Sequence, residues 1–338
     1  TRPYFSGEPL LGREEIMADY LVVDTHMHCF RTAEAGRLAM GLTPCYSNYS
    51  GTIEDALSSM KKANMSRAIM VNTIPLAYMR DAALRKLPST LSLQQRQQAE
   101  EEIHKTLLDR LARLNAWSCE VARENPGLFA TITLDPILGP EASRKEVEDK
   151  VKNGGARALK LHPPIGRYYP NDERMRPVYE AAATLDIPII FHCGPHPHPD
   201  DPKQVVEYSR PRHYEDIFTS YPKLTVVMAH MGMGVGPDWA HLYKPYFQEA
   251  MAIATKHYPN AYFDLSECIA EAMGGYGMPL EDIIALIRAI GAERVLFGTD
   301  FPWYEPATVL EGVLKLGLTE QEKRLILGEN AIRVFKLS

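Results

Sequence analysis

The sequence predicts a single (β/α)₈ barrel, and three observations carry this prediction. Eight short apolar runs recur along the 338 residues, and segments with helical periodicity separate them. The first run leads into His-Met-His and not into the Gly-rich turn that usually opens a doubly wound sheet. The length fits one barrel with insertions, so we expect one domain over residues 1–338.

The eight apolar runs are interpreted as parallel strands that are buried on both faces. They are Tyr20–Val23, Arg67–Asn72, Leu128–Leu134, Arg157–Leu161, Ile187–Phe191, Leu224–Ala229, Ala261–Leu265 and Arg294–Phe297. Strands that alternate with helices form a parallel sheet, and eight such units close it into a barrel. An open doubly wound sheet is the alternative.

Helix signals lie between these runs. Thr52 and Asp55 form a capping-box pattern with aspartate in place of glutamate, and Ile53, Leu57 and Met60 share one face of the helix that follows. Apolar periodicity predicts two further helices, at residues 103–121 and 279–290. Two insertions follow strands 1 and 2, at residues 29–51 and 76–102. They are candidate lids or oligomer contacts, and solvated helical elaboration explains them equally well.

Composition excludes several classes of partner. The net charge is −6 and no basic stripe occurs, so nucleic-acid binding is not expected. No apolar stretch is long enough to span a bilayer, and no signal peptide is visible. The five cysteines are odd in number and widely spaced, which favours a reducing cytoplasm over a disulfide framework. The expected partner is a small-molecule substrate, and a homo-oligomer remains open.

The strongest local signal is the pair His26 and His28 at the end of the first predicted strand. Alternate residues of a strand point to the same side, so the two imidazoles can converge on one cation. His192, His230 and Asp300 end the fifth, sixth and eighth predicted strands in the same way. Each alone could be a structural residue, but together they predict a metal site at the carboxyl ends of the strands.

This pattern resembles the amidohydrolase superfamily. More narrowly, it is similar to the amidohydrolase-related group that includes aminocarboxymuconate-semialdehyde and resorcylate-type decarboxylases. The similarity covers nearly the whole chain, and further motifs carry it: Lys160–Pro164, Tyr169–Asp172, Pro188–Gly194, Gly298–Pro302 and Gly328–Ala331.

The resemblance implies that the metal ligands are His26, His28, His192 and Asp300. It also implies that His230 is a catalytic histidine and that Asp300 acts as a base. The expected metal is one Zn²⁺ per chain, with Mn²⁺ as the alternative. Binuclear relatives carry a bridging carboxylated lysine or a glutamate, and Lys160 lies on the fourth predicted strand; we prefer a mononuclear site, with Lys160 as a barrel cation.

Residues that follow the strands are candidates for substrate contacts: Arg167, Tyr169, His162 and Trp303. Arg167 could hold a substrate carboxylate through a bidentate contact, although a surface role is as plausible. The segment His196-Pro197-His198-Pro199 could form an accessory metal site, but an exposed loop is the preferred interpretation.

Three functions remain open at this point. The first is hydrolysis of an amide or lactone in a small cyclic or carboxylated substrate, with a metal-activated water. The second is non-oxidative decarboxylation of an aromatic or muconate-like acid, which uses the same ligands. A non-catalytic metal-binding barrel is the third and the least favoured, because every ligand position of the family is filled.

Overall fold

A computed structural model describes residues 20–41, 45–196, 207–234, 241–275 and 277–337 of the chain. Eight parallel strands stand in chain order around one sheet, as expected for a (β/α)₈ barrel. The strands are β1 Val23–Met27, β2 Arg67–Met70, β3 Leu128–Thr133, β4 Ala158–Leu161, β5 Ile189–Phe191, β6 Val226–Met228, β7 Ala261–Asp264 and β8 Val295–Leu296. The predicted fold class is confirmed.

The barrel closes where β1 meets the segment that follows β8, and we call this contact the seam. The Thr25 amide donates to the Phe297 carbonyl at 2.9 Å, and the Asp300 amide donates to the His26 carbonyl at 2.9 Å. The His28 amide donates to Phe301 at 2.7 Å, and Met27 forms an isolated parallel bridge with the same residue. The seam therefore places residues of the first strand beside residues that follow the last.

The first strand begins later than the sequence predicted. The predicted run was Tyr20–Val23, whereas β1 runs from Val23 to Met27, and Leu21 is 40% exposed. The strand continues through polar residues because their hydrogen bonds are satisfied inside the barrel. Asp24 is fully buried and accepts hydrogen bonds from the amides of His26 and Thr299, at 2.9 and 3.1 Å. Each of the other seven strands lies within its predicted run.

Helices separate the strands and form the outer layer. They are α1 Ala33–Met40, α2 Ile53–Lys62, α3 Leu76–Arg85, α4 Leu93–Glu124, α5 Pro140–Lys152, α6 Pro163–Gly166, α7 Arg176–Leu185, α8 Glu215–Ser220, α9 Tyr243–Thr255, α10 Cys268–Met273, α11 Leu280–Ile290, α12 Pro306–Leu314, α13 Glu320–Arg324 and α14 Asn330–Phe335. Short 3₁₀ turns and the π-helical turn Leu325–Glu329 link several of them. None of the helices within the described ranges combines the length and the apolar composition needed to cross a membrane.

The predicted capping box begins α2. The Thr52 side chain accepts from the Asp55 amide at 3.2 Å, and the Asp55 carboxylate accepts in return from the Thr52 amide at 3.4 Å. The predicted apolar face is partly wrong, because Leu57 is 38% exposed. The helix instead buries Ala56 and Met60, a spacing of four residues that faces the barrel.

The last helix closes the amino-terminal end of the barrel. Phe335 and Leu337 are buried in one apolar cluster with inward-facing strand residues such as Val23, Ile190 and Leu296. Apolar packing fills this end of the lumen, so the buried polar side chains of the strands collect at the opposite, carboxyl end. That end is where barrel enzymes assemble their sites.

Both predicted insertions contain helices. The first contains α1 and returns over the seam, where the Tyr46 amide donates to the Trp303 carbonyl at 2.8 Å. The second contains α3 and the exposed start of α4. It contacts the loop after β4, because Asp81 forms an ion pair with Arg167 and the Tyr78 hydroxyl donates to the Pro164 carbonyl at 3.3 Å.

Gly36 fixes the packing of the first insertion. A Cβ atom at Gly36 would lie 1.7 Å from the Ser50 carbonyl oxygen, and this is backbone that cannot move aside as a side chain does. Gly36→Ala is therefore expected to lower the free energy of unfolding by about 1–3 kcal/mol, although alanine is the better helix former. Urea unfolding of both proteins measures the difference. Gly317→Ala is the matched control, because a Cβ atom there would meet nothing within 4 Å. Equal losses in both variants would contradict the expectation.

Candidate functional site

Three side chains meet at the carboxyl end of the barrel. His26, His28 and Asp300 each offer a ligand atom, and these atoms all lie within 4.8 Å of one another. The Asp300 Oδ1 atom lies 3.5 Å from His26 Nε2 and 3.4 Å from His28 Nε2. Two imidazoles and one carboxylate that converge in this way form a donor set suited to a divalent transition metal.

The seam brings these ligand groups together. His26 lies within β1, His28 follows it directly, and Asp300 comes from the turn after β8. Asp300 has a left-handed backbone (φ 59°), which is uncommon for a residue with a side chain. Burial opposes ionisation of Asp300, but the hydrogen bond and the charge of His28 outweigh it and hold the pKa of this carboxyl below its usual range. Asp300 is therefore a carboxylate at neutral pH.

Asp264 orients His26 from the side opposite to the ligand cluster. The His26 Nδ1 atom lies 2.9 Å from the Asp264 Oδ2 atom, and both side chains are fully buried. Burial and the nearby Lys160 ammonium lower the pKa of His26 to about 3, so the ring is neutral. A neutral ring that donates from Nδ1 keeps its Nε2 lone pair directed at the cluster. This is the carboxylate–histidine arrangement that commonly orients metal ligands.

Sequence reasoning did not identify Asp264. It accepts hydrogen bonds from the backbone amides of His230 and Ser266, at 3.0 and 3.1 Å, as well as from His26. Burial raises the pKa of Asp264, but the charge and hydrogen bond of His26 outweigh it and the net pKa is low. Asp264 lies inside the predicted run Ala261–Leu265, and no signal within that run distinguishes it from an ordinary strand residue.

One hydroxyl proton fixes the tautomers of three histidines. The Ser266 hydroxyl donates to Asp264, so its oxygen can only accept from the Nδ1 atoms of His26 and His230, at 3.1 and 3.0 Å. His230 therefore has an unprotonated Nε2 atom, which accepts from His192 Nδ1 at 3.1 Å. The remaining nitrogen, His192 Nε2, is buried and has no hydrogen-bond partner within the described residues.

The unpartnered Nε2 atom of His192 bears on whether the side chains at this site are suited to bind a metal ion. A buried imidazole lone pair without a donor is costly unless it binds something. His192 Nε2 is such a lone pair, and it belongs to a residue that the resemblance names as a ligand. It is not among the three atoms of the tight cluster. The donor chemistry therefore fits a divalent cation at His26, His28 and Asp300, and His192 remains a proposed fourth ligand.

Lys160 lies within the barrel beside the cluster. Its side chain is fully buried, and its Nζ atom lies 3.0 Å from His26 Nε2. Burial lowers the pKa of Lys160 to about 8, although the charges of Asp264 and Asp300 oppose this shift. The lysine thus faces the ligand cluster, and both its role as a barrel cation and the preferred mononuclear site stay predictions.

Two of the four predicted substrate residues line the site. The His162 ring stacks on the His192 ring with centroids 3.8 Å apart and planes 9° from parallel. The Trp303 ring meets the His28 ring edge to face at 5.2 Å. These two aromatic surfaces flank the proposed ligands, so any planar molecule bound there would contact them.

The other two predicted substrate residues lie farther out. The Arg167 guanidinium forms an ion pair with Asp81 and lies over the Tyr78 ring at 5.0 Å, so the structure already gives it a carboxylate partner. Tyr169 is 39% exposed and packs edge to face against His213 at 4.9 Å. The proposed accessory site at residues 196–199 cannot be described, because His198 lies outside the described residues.

Asp264→Asn is expected to weaken metal binding. The amide can no longer accept every hydrogen bond of the carboxylate, so His26 loses its fixed orientation and part of its basicity. Outer partners of this kind typically contribute 10- to 100-fold to metal affinity, and we expect a loss of about that size. Titration of metal-free protein with Mn²⁺ by calorimetry measures it. Asp282→Asn, at the start of α11, serves as the control. Unchanged affinity in the Asp264 variant would contradict the role assigned to it.

Comparison with known proteins agrees with this geometry. The model of a protein family described as amidohydrolase matches residues 23–337. The chain belongs to this amidohydrolase family. The match covers every strand of the barrel and all the residues of the ligand cluster, and so confirms the resemblance inferred from the sequence.

Relatives of this amidohydrolase include decarboxylases. The gamma-resorcylate decarboxylase of Polaromonas sp. is 23% identical over 261 residues, which are 67% of this chain and 76% of that protein. Among solved structures, a dihydroxybenzoic acid decarboxylase of Polaromonas sp. with bound manganese and the inhibitor 2-nitroresorcinol has a TM-score of 0.64 at 18% identity, over 94% of this chain and 97% of that one. The 5-carboxyvanillate decarboxylase of Sphingomonas paucimobilis has a TM-score of 0.63 at 16% identity, over 95% and 100% of the two chains.

Proposed function

We propose that this amidohydrolase is a metal-dependent, non-oxidative decarboxylase of hydroxylated aromatic carboxylic acids. The observation that carries the proposal is its similarity to gamma-resorcylate decarboxylases, which extends over two thirds of the chain. The ligand cluster at the seam supports it, because such a site can bind a carboxylate and a neighbouring hydroxyl group. We therefore prefer decarboxylation to hydrolysis of an amide or lactone. Hydrolysis was the first of the functions that the sequence alone suggested.

We propose one Mn²⁺ per chain, in preference to the Zn²⁺ favoured by the sequence. The support is a structural relative that contains manganese together with a resorcinol inhibitor. Manganese accepts carboxylate oxygens and leaves room for the oxygen atoms of a substrate. The proposed ligands are His26, His28, His192 and Asp300. When bound, the cation would supply positive charge for the substrate's carboxylate and its adjacent phenolic oxygen.

The reaction exchanges one bond for another at a ring carbon. The bond between the ring and the carboxylate breaks, carbon dioxide leaves, and the electron pair left on the ring carbon takes up a proton. Asp300 is a poor source of this proton, because His28 keeps its pKa low. His230 is the better carrier, since its unprotonated Nε2 atom, 3.1 Å from His192 Nδ1, can first take up a proton from solvent or from a substrate hydroxyl group and then pass it to the ring carbon. General acid catalysis of this kind typically contributes 10²- to 10⁴-fold.

The aromatic residues of the site suit a planar substrate. The stacked rings of His162 and His192 offer a flat surface, and the Trp303 ring contacts His28 edge to face. An aromatic acid between such rings gains contact area and a defined orientation. We propose His162 and Trp303 as the substrate-contacting residues, and leave Arg167 with Asp81 outside this set.

Carbon dioxide release separates the proposed reaction from hydrolysis. Protein loaded with Mn²⁺ is incubated with 2,6-dihydroxybenzoate, 5-carboxyvanillate and related hydroxybenzoates, and in parallel with lactones and aryl amides. We expect release of carbon dioxide and the corresponding phenol from at least one acid, and loss of this activity in chelator-treated protein. Hydrolysis of a lactone or amide without any carbon dioxide release would overturn the proposal and restore the hydrolase interpretation.

A further inference from the structure

The turn after β7 holds an unusual residue. Glu267 has φ 66° and ψ −51°, and the Cys268 amide donates to the Ser266 carbonyl at 2.7 Å across it. These values define a classic γ-turn, a rare and strained conformation for a residue with a side chain. Glycine would adopt the turn at lower cost. A glutamate in this place indicates that its side chain is needed there.

The Glu267 side chain reaches the back of His230. Its Oε2 atom lies 3.4 Å from His230 Nδ1, on the opposite side of the ring from the Nε2 atom that faces His192. The same Nδ1 atom lies 3.0 Å from the Ser266 hydroxyl oxygen. The Ser266 carbonyl oxygen lies 3.3 Å from Nδ1. Among the described residues, the acceptors around Nδ1 thus come from the strained turn, and Glu267 is the ionisable one.

Glu271 holds Glu267 in place. It lies one helical turn later in α10, and the two carboxyl groups are joined by a hydrogen bond, which requires one proton between them. Glu271 is buried, and its Oε1 atom accepts from the Tyr304 hydroxyl at 3.4 Å. A Cβ atom at Gly277 would lie 2.5 Å from Glu271 Oε2, so the glycine leaves room for this carboxyl group.

The electrostatics agree with a shared proton. Burial raises the pKa of Glu271 to about 7, although its hydrogen bond to Glu267 opposes the shift. Burial and the neighbouring Glu271 raise the pKa of Glu267 well above its usual value. Two carboxyl groups this close cannot both ionise easily, so they titrate as one pair.

We propose that Glu267 is a positioning residue for His230, and that Glu271 holds it there through one shared proton. In this arrangement Ser266 and Glu267 both face the His230 Nδ1–H group, at 3.0 and 3.4 Å, while the Glu267 hydroxyl donates to Glu271. The ring keeps its proton on Nδ1 and presents Nε2 to the site. The inference rests on the proposed function for its catalytic consequence, but the tautomer and the strain do not depend on which reaction the protein catalyses.

Two substitutions at Glu267 separate positioning from structure. Glu267→Gly removes both the side chain and the strain of the turn. We expect Tm to rise by about 2–4 °C while kcat falls about 10- to 100-fold, with KM and bound Mn²⁺ unchanged. Glu267→Gln can accept from His230 through its amide oxygen and donate to Glu271 through its amide nitrogen. We expect this variant to keep kcat within about fivefold of the parent. Glu281→Gln, an exposed glutamate at the start of α11, is the control.

Nuclear magnetic resonance tests the tautomer without any substrate. In zinc-loaded protein labelled with ¹⁵N-histidine, the His230 signals should show protonation at Nδ1 in the parent and in Glu267→Gln. Glu267→Gly should show a mixture of tautomers, because relaxation of the strained turn would also move Ser266, the other acceptor of Nδ1. Normal kcat in Glu267→Gly, or an unchanged Nδ1 tautomer in it, would overturn the positioning role. A normal tautomer pattern in the parent without carbon dioxide release from any acid would contradict only the proposed function.

Discussion

His28→Ala is expected to abolish metal binding at ordinary metal concentrations, and the proposed decarboxylation with it. His28 Nε2 lies 3.4 Å from the Asp300 carboxylate and is one of the three atoms of the tight cluster. Removing a direct ligand should cost more than the roughly 10- to 100-fold loss that follows from changing an outer partner. Inductively coupled plasma analysis of the purified variant measures the metal content, and carbon dioxide release measures the activity.

His28 suits this experiment because we expect its removal to disturb the fold less than removal of His26. The side chain is 13% exposed and lies just past the end of β1, whereas His26 is fully buried and bonded to Asp264. The Tm of the His28→Ala variant should therefore lie within a few degrees of the Tm of the metal-free parent. His104→Ala, on an exposed turn of α4, is the control. A His28→Ala protein that retains a full equivalent of metal would remove His28 from the proposed ligand set.

His230→Asn is expected to separate metal binding from catalysis. We predict a fall in kcat of about 10²- to 10⁴-fold, which is the usual contribution of general acid–base catalysis, with metal content close to that of the parent. Asparagine is the appropriate replacement because His230 has a left-handed backbone (φ 55°), and asparagine tolerates this conformation better than most residues. Full turnover in this variant would eliminate the catalytic role of His230.

Comparing His230→Asn with His192→Ala tests which of the two histidines binds the metal and which acts in catalysis. His192 lies 3.1 Å from His230, yet its Nε2 atom is the orphaned one. If His192 is the fourth ligand, His192→Ala should lose metal and activity together, whereas His230→Asn should lose activity alone. Loss of metal in both variants to the same extent would mean that the two rings act as one structural unit.

Much of the fold could be predicted because its signal is local. Seven strands lie within the predicted apolar runs, since parallel strands that are buried on both faces need continuous apolar sequence. β1 was placed too early for the opposite reason. Its central residues are polar, and their burial depends largely on distant partners such as the Thr299 amide, which donates to Asp24 at 3.1 Å. No pattern within the strand itself reports such a partner.

The site could be predicted only in part. Ligand candidates such as His26 and Asp300 were found because a polar residue at the end of an apolar run is visible in sequence. The residues that orient them were not found, because Asp264 and Ser266 are recognisable only from the atoms they meet across the barrel. Arg167 was predicted to contact a substrate for the same reason. Its ion pair with Asp81 forms only when the second insertion folds back onto the loop after β4, and the sequence does not show this.

The seam has a consequence for how the protein matures. Thr25 and Phe297 bond to each other across 272 positions of sequence, and the proposed ligands of the first strand meet Asp300 only at this junction. A ribosome releases the histidine pair long before it releases the aspartate, so the nascent chain cannot assemble the three-atom cluster while β8 is still being made. Metal capture would then be among the last events of biogenesis. Once bound, the cation would link the first strand to the turn after the last one. The apparent free energy of unfolding of the protein should then rise with the concentration of free metal ion, by mass action.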